Sequence, residues 1–176
     1  LTGGGPADLV ELTMALGAEM LAVAGVEADP AEARTMLEKT RREGTALEKF
    51  ARVIESQGGD PNVVERPRQI LPSAPHRSQL EAAESGIITR IDALRVGVAS
   101  MRLGAGRERK EDTIDPAVGI NLLAKPGDEI SAGQPLLELA YRHPARLEEA
   151  LAALEGAIEI GDSTPSSAPL IIERID

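Results

Sequence analysis

The densest concentration of chemistry in this sequence is one stretch, Gly104-Ala105-Gly106-Arg107-Glu108-Arg109-Lys110. Glycines let backbone N–H groups approach an oxyanion, and guanidinium groups add paired donors, so these residue types suit a phosphate or carboxylate. The stretch follows a helical pattern and lacks both the Walker sequence and the dinucleotide fingerprint. Two readings stand: a solvated surface loop, or a loop that approaches a site built elsewhere. Glu108, Glu111, Asp112 and Asp115 lie in and just beyond it. Their spacing does not match a calcium-binding loop, and three cations sit among them. Asp115-Pro116 reads instead as the start of a turn. The two histidines, His76 and His143, each adjoin a proline, lie far apart and read as surface residues.

A second candidate is Lys125-Pro126-Gly127-Asp128, followed by Ser131-Ala132-Gly133-Gln134 and an apolar run from Leu136. This spacing resembles the lipoyl- and biotinyl-type sandwiches, in which strands fold back on each other across glycine turns. A swinging-arm carrier would present its lysine at a hairpin tip beside Met or Asp, whereas Lys125 precedes a proline. The bland reading is a structural turn, for which Gly127 and Gly133 supply the positive φ.

The elements that must position these groups fall into two patterns. In the first third, Leu9, Leu12, Leu16, Met20 and Val23 recur every three or four residues and mark one face of a helix behind Pro6; with Met14 and Leu21 this broad apolar side suits packing within the helical segment or a subunit contact. Asp29-Pro30-Ala31-Glu32 predicts a second start with a capping box, and Thr45 with Glu48 a third, carrying Leu47, Phe50, Ala51 and Ile54. Residues 66–79 hold Pro67, Pro72 and Pro75 and predict an extended connector. The period then shortens. Strands are expected at Gly86–Ile91, Ile120–Ala124, Pro135–Tyr141, Ala157–Ile160 and Leu170–Ile175. Helices are expected over Ala93–Leu103, capped by Asp92, and from Pro144 to about Glu155.

Composition narrows the function classes. One Phe, one Tyr and no Trp among 176 residues leave a core of aliphatic side chains and no base-stacking platform. A net charge of −10 without a basic tail argues against nucleic acid and anionic membrane as partners. The absence of Cys excludes disulfides, thiolate metal sites and a cysteine nucleophile. The apolar stretch Leu9–Val26 is interrupted by Glu11 and Glu19 and is too short to span a bilayer. The chain opens on Leu1 and a glycine-rich turn, which reads as a piece of a longer protein.

Several blocks, in order, resemble the C-terminal part of the thymidine and pyrimidine-nucleoside phosphorylases. They are ADLVELTMALGAEMLAVAG, AEARTMLEKTRREGTALEKFARVIESQGGDP and SGIITRIDALRVGVASMRLGAGRERKEDTIDPAVGINLLAKPGDEISAGQPLLEL. The most specific pieces are LGAGRERKEDTIDPAVG and KPGDEISAGQPL. The resemblance implies a chain that is part of a homodimeric, cytoplasmic glycosyltransferase. That enzyme splits a pyrimidine nucleoside with phosphate as co-substrate and needs no other cofactor and no metal. It implies that residues 6–58 belong to a helical domain and about 80–176 to a β-rich barrel-sandwich-like module. The family's catalytic Lys-His-Ser, phosphate-loop and base-contacting motifs do not occur in these residues, so no catalytic residue is assigned here. What carries over is the 104–119 loop, which in the family faces the cleft and orders as the domains close, with Gly104, Gly106 and Arg107 as substrate-proximal residues.

The expectation is therefore an α+β chain: a helical segment over 1–65, an extended linker over 66–79 and a β-rich module with one or two helices over 80–176. Its partners are the rest of the parent chain, a second subunit, the nucleoside and phosphate. The competing reading is a stand-alone interaction or carrier module modified on Lys125, which an intact-mass measurement separates from the first.

Overall fold

Pro6 opens the first helix, α1 (Ala7–Val23), and Val10 N donates to its carbonyl. The computed structural model to which this helix belongs describes residues 1–166 and 169–175. Asp29 starts α2 (Pro30–Arg42) by accepting from the amides of Ala31 and Glu32 at 2.9 and 3.0 Å. The reciprocal half of the expected capping box is made by another residue. The Asp29 amide donates to Glu27 Oε1, and Glu32 supplies only a charge to the first turn. At α3 (Thr45–Ser56) the N-cap is Gly44 with φ 79°, and the Thr45 hydroxyl donates back to Thr40 O. The box expected from Thr45 and Glu48 is absent because Thr45 is already inside the helix.

The helices pack through only part of the apolar side of α1. Met14 and Ala18 are buried, and Gly17 lets Leu37 approach so closely that a Cβ there would lie 2.7 Å from Leu37 Cδ1. Ala33 of α2 is fully buried, and Arg34 grips both oxygens of Glu11 at 2.9 and 2.7 Å. Leu9, Leu16, Met20 and Val23 stay exposed, as does Phe50. The apolar circumference of α1 is wider than α2 covers, so periodicity found an apolar face that this unit does not bury.

The expected extended connector is shorter and partly helical. Asp60 caps a 3-10 turn over Pro61–Val64, and α4 (Pro67–Ile70) follows, with Gln69 and Ile70 amides donating to Arg66 O. Proline suits the first turn of a helix because its missing N–H would be unpaired there. Of the expected connector, only Arg66 and residues 71–75 lie outside regular elements before β1 (His76–Glu81). One compact unit comprises Leu1–Ile70 with the end of the chain, the other Leu71–Ser166.

The second unit holds β1, β2 (Gly86–Ile91), α5 (Ala93–Ser100), β3 (Gly119–Leu122), β4 (Glu129–Ile130), β5 (Pro135–Tyr141), α6 (Pro144–Leu154) and β6 (Ile158–Gly161). These form two three-stranded antiparallel sheets, β1-β5-β3 and β4-β2-β6. The α+β class and the two helices of the module are as expected; the sheets do not close into a barrel. Ile88, Leu137 and Leu139 are the largest fully buried side chains, and Ala99, Leu103, Ala150 and Leu154 complete the aliphatic core. Strand β1 has a polar sequence, HRSQLE, and pairs through its backbone with β5 from His76↔Tyr141 onward. A polar edge strand carries no apolar alternation, which is why this one was not visible in the sequence. Leu170–Ile175, expected as a strand, forms none. These residues group with the helical unit, where Arg174 pairs with Glu19 at 3.3 Å, and no ladder partner is offered.

Candidate functional site

The loop after α5 is built from both ends. Asp92 Oδ1 accepts from the Arg95 amide and starts α5. The helix widens into a π-type turn over Met101–Ala105, where Leu103 and Gly104 are buried. Gly104 ends it with φ 110°, a region that L side chains rarely adopt. Gly106 is extended, and a Cβ there would come within 3.3 Å of Met101 Cβ and 3.2 Å of its Cγ. The two glycines thus serve different ends: Gly104 turns the chain and Gly106 lies flat against Met101.

Carboxylates shape the rest. Asp112 Oδ2 accepts from the amides of Arg109 and Glu108 at 2.9 and 3.0 Å. These amides hold its carboxyl below the usual range, aided by the Arg109 and Arg146 charges. Asp115 is likewise held low, first by the Arg142 guanidinium at 2.8 Å and then by the Ala117 amide at 3.0 Å. Arg102 pairs with Glu108 at 2.8 Å, and Arg146 from α6 donates to Arg102 O. A polar cavity of about 330 Å³ lies against Met101, Gly106, Arg109, Asp112, Thr113 and Arg146.

The three residues predicted as substrate-proximal lie within four positions of this loop, yet they do not converge on one point. Gly104 and Gly106 shape its base, while Arg107 and Lys110 expose their side chains, with no hydrogen bond or ion pair among the described residues. The groups that sequence reasoning missed are the anchors. Asp112 could have been found as a carboxylate three residues past an amide, the spacing of a side-chain-capped turn. Arg142 and Arg146 leave no local signal, since their loop partners lie 27 and 44 positions away.

The other candidates sit elsewhere. Lys125 is the first residue of a tight turn closed by Asp128 N to Lys125 O, with its own amide donating to Asp128 Oδ2, and is not at the tip. His76 lies on β1 with its ring 5.3 Å from that of Tyr141, and exposed His143 precedes α6. Among the described residues no group of three His, Asp or Glu side chains could hold a metal ion. Nor, among the described residues, is any helix long and apolar enough to cross a membrane.

Fold and loop together define a helical layer and a small two-sheet α+β module that presents cations from an anchored glycine loop. Residues 87–161 match the family described as the pyrimidine nucleoside phosphorylase C-terminal domain. The chain is 41% identical over 176 residues to a thymidine phosphorylase of Mycobacterium tuberculosis, covering 99% of this chain and 38% of that protein. It is 41% identical to a pyrimidine-nucleoside phosphorylase of Bacillus subtilis and 39% to one of Staphylococcus haemolyticus, covering 40% of each. The chain thus spans about two fifths of the length of the curated relatives it matches. Over 99% of its length the chain is thus similar to thymidine and pyrimidine-nucleoside phosphorylases, and residues 87–161 match their C-terminal domain.

Proposed function

We propose that this chain is the C-terminal portion of a pyrimidine-nucleoside phosphorylase, to which it contributes scaffold and a substrate-facing loop but no catalytic residue. In that reaction the bond from C1′ of the pentose to the base nitrogen breaks, and a bond from C1′ to a phosphate oxygen forms. The base leaves with the electron pair and takes up a proton, so the activity is a pentosyl, hence glycosyl, transfer with phosphate as co-substrate. The observation that carries this reading is the similarity over 99% of the chain to proteins named for that activity.

The anchored loop supports the assignment of Gly104, Gly106 and Arg107 as substrate-proximal, because it presents Arg107 and Lys110 outward from a chain of net charge −10. Exposed cations in a chain of net negative charge suit the phosphate co-substrate. The helical residues 1–65 and the module from residue 80 are assigned as parts of two domains of the parent enzyme. The exposed apolar face of α1 supports a homodimer, and the net charge of −10 supports a chain that binds neither nucleic acid nor anionic membrane.

The test is phosphate-dependent release of thymine or uracil. The parent enzyme releases free base and pentose 1-phosphate; the 176-residue chain alone releases neither, because phosphorolysis needs donors on the phosphate and the leaving base as charge builds. A parent that gives no phosphate-dependent release overturns the reading, and robust release by the chain alone overturns the claim that it lacks catalytic residues.

A further inference from the structure

Residues 104–115 form a loop of the Ω type, whose ends meet through one bond: the Asp115 amide donates to Gly104 O at 3.0 Å. Asp115 ties this neck to three places. Its Oδ1 accepts from the Ala117 amide at 3.0 Å, and its carbonyl accepts from the Val118 amide at 3.4 Å. Its Oδ2 accepts from Arg142 Nε at 2.8 Å, and Arg142 follows directly on β5, the central strand of its sheet. Inside the loop Asp112 holds the Glu108 and Arg109 amides, and Glu108 reaches back to Arg102, whose carbonyl is held by Arg146 of α6. The backbone that carries Arg107 and Lys110 is therefore fixed from within and tied from outside to β5 and α6.

We propose that Asp115 and Arg142 are positioning residues that keep the 104–115 loop preformed, so that Arg107 and Lys110 meet the anionic substrate in one fixed arrangement; this rests on the phosphorolysis reading given above. A loop that became ordered only on meeting substrate would charge its ordering entropy against binding, and a clamped loop avoids that cost. The clamp adds little to overall stability because both side chains are near the surface: Arg142 is 45% exposed and Asp115 29%. Its effect is local, on how often this segment opens while the core stays folded.

Trypsin reads that opening directly, since it cuts after Arg107, Arg109 and Lys110 only when the loop leaves its folded form. In the 176-residue chain, Asp115→Ala removes both carboxylate bonds and is expected to speed cleavage in this loop about tenfold while Tm moves little. Arg142→Ala keeps the bond to the Ala117 amide and gives a smaller increase; it also serves if Asp115→Ala does not fold. Cleavage at the wild-type rate in both variants overturns the clamp. In the parent enzyme, Arg142→Ala is expected to lower kcat/KM for phosphate several-fold, and Arg142→Lys, which keeps a donor and the charge, to recover most of that loss. A loop cut faster but with unchanged kinetics overturns the positioning role. A wild-type parent without phosphorolysis refutes the functional reading instead, and the clamp is then judged by cleavage alone.

Discussion

Replacing Gly104 or Gly106 with alanine separates two physical roles that look the same in the sequence. At Gly104 a Cβ has room, its nearest neighbour being Val118 Cγ2 at 3.7 Å, but φ is 110°. The cost of Gly104→Ala is thus backbone strain, on the order of 2 kcal/mol. At Gly106 φ is −143° and open to any residue, but the Cβ presses on Met101 at 3.2 and 3.3 Å. Methionine has three rotatable bonds and yields, so Gly106→Ala should cost less than about 1 kcal/mol. For a unit of this size, about 2 kcal/mol lowers Tm by roughly 8–16 °C. Tyr141 is the sole tyrosine and lies on β5, so its fluorescence follows unfolding of the Leu71–Ser166 unit without a signal from the helices. Gly104→Asn should lose less than Gly104→Ala, because asparagine tolerates positive φ. A Gly106→Ala variant less stable than Gly104→Ala, or a silent Gly104→Ala, would refute this reasoning.

Three further outcomes follow from the packing and charges. Leu139 is fully buried between its neighbours, so Leu139→Ala should cost about 2–5 kcal/mol by the same tyrosine signal, and a loss near zero would show the core misassigned. The carboxyls of Glu11, Asp60, Asp92, Asp112 and Asp115 are all held below their ordinary range, so the unfolded chain takes up protons first as pH falls. Their contribution is complete above the ordinary carboxylate range and is lost as pH drops through the depressed folded values. Urea midpoints should therefore fall between about pH 5 and about pH 3, and a flat profile contradicts the assignments. The dimer proposed for the parent enzyme should shift in sedimentation from dimer to monomer with Leu16→Glu and Met20→Glu, since both side chains lie exposed on α1; an unchanged dimer, or a wild-type monomer, contradicts that interface.

What the sequence made legible was what depends on local rules. Asp29 and Asp92 cap helices as their types and positions require, and Gly127 turns the chain where Pro-Gly-Asp predicts. The β2 and β5 spans agree with their apolar runs. The misses share a cause in tertiary context. Strand β1 is held by its backbone pairing to β5 and not by an apolar pattern, and the exposed stripe of α1 has the same periodicity as a buried one. At the loop, the glycines and cations were visible as residue types. The reason the segment is ordered was not, because it depends on Arg142 and Arg146, which arrive from distant parts of the chain.

The most direct test of the account is the kinetics of Arg107→Ala in the proposed parent phosphorylase, measured with phosphate and nucleoside varied separately. Arg107 is exposed and makes no bond among the described residues, so its removal should leave Tm unchanged. If the loop meets the substrate, kcat/KM falls about tenfold, a loss of about 1.4 kcal/mol in transition-state stabilisation. Wild-type kcat/KM, or a variant whose main defect is stability, would contradict the claim that this chain serves the reaction through its 104–115 loop.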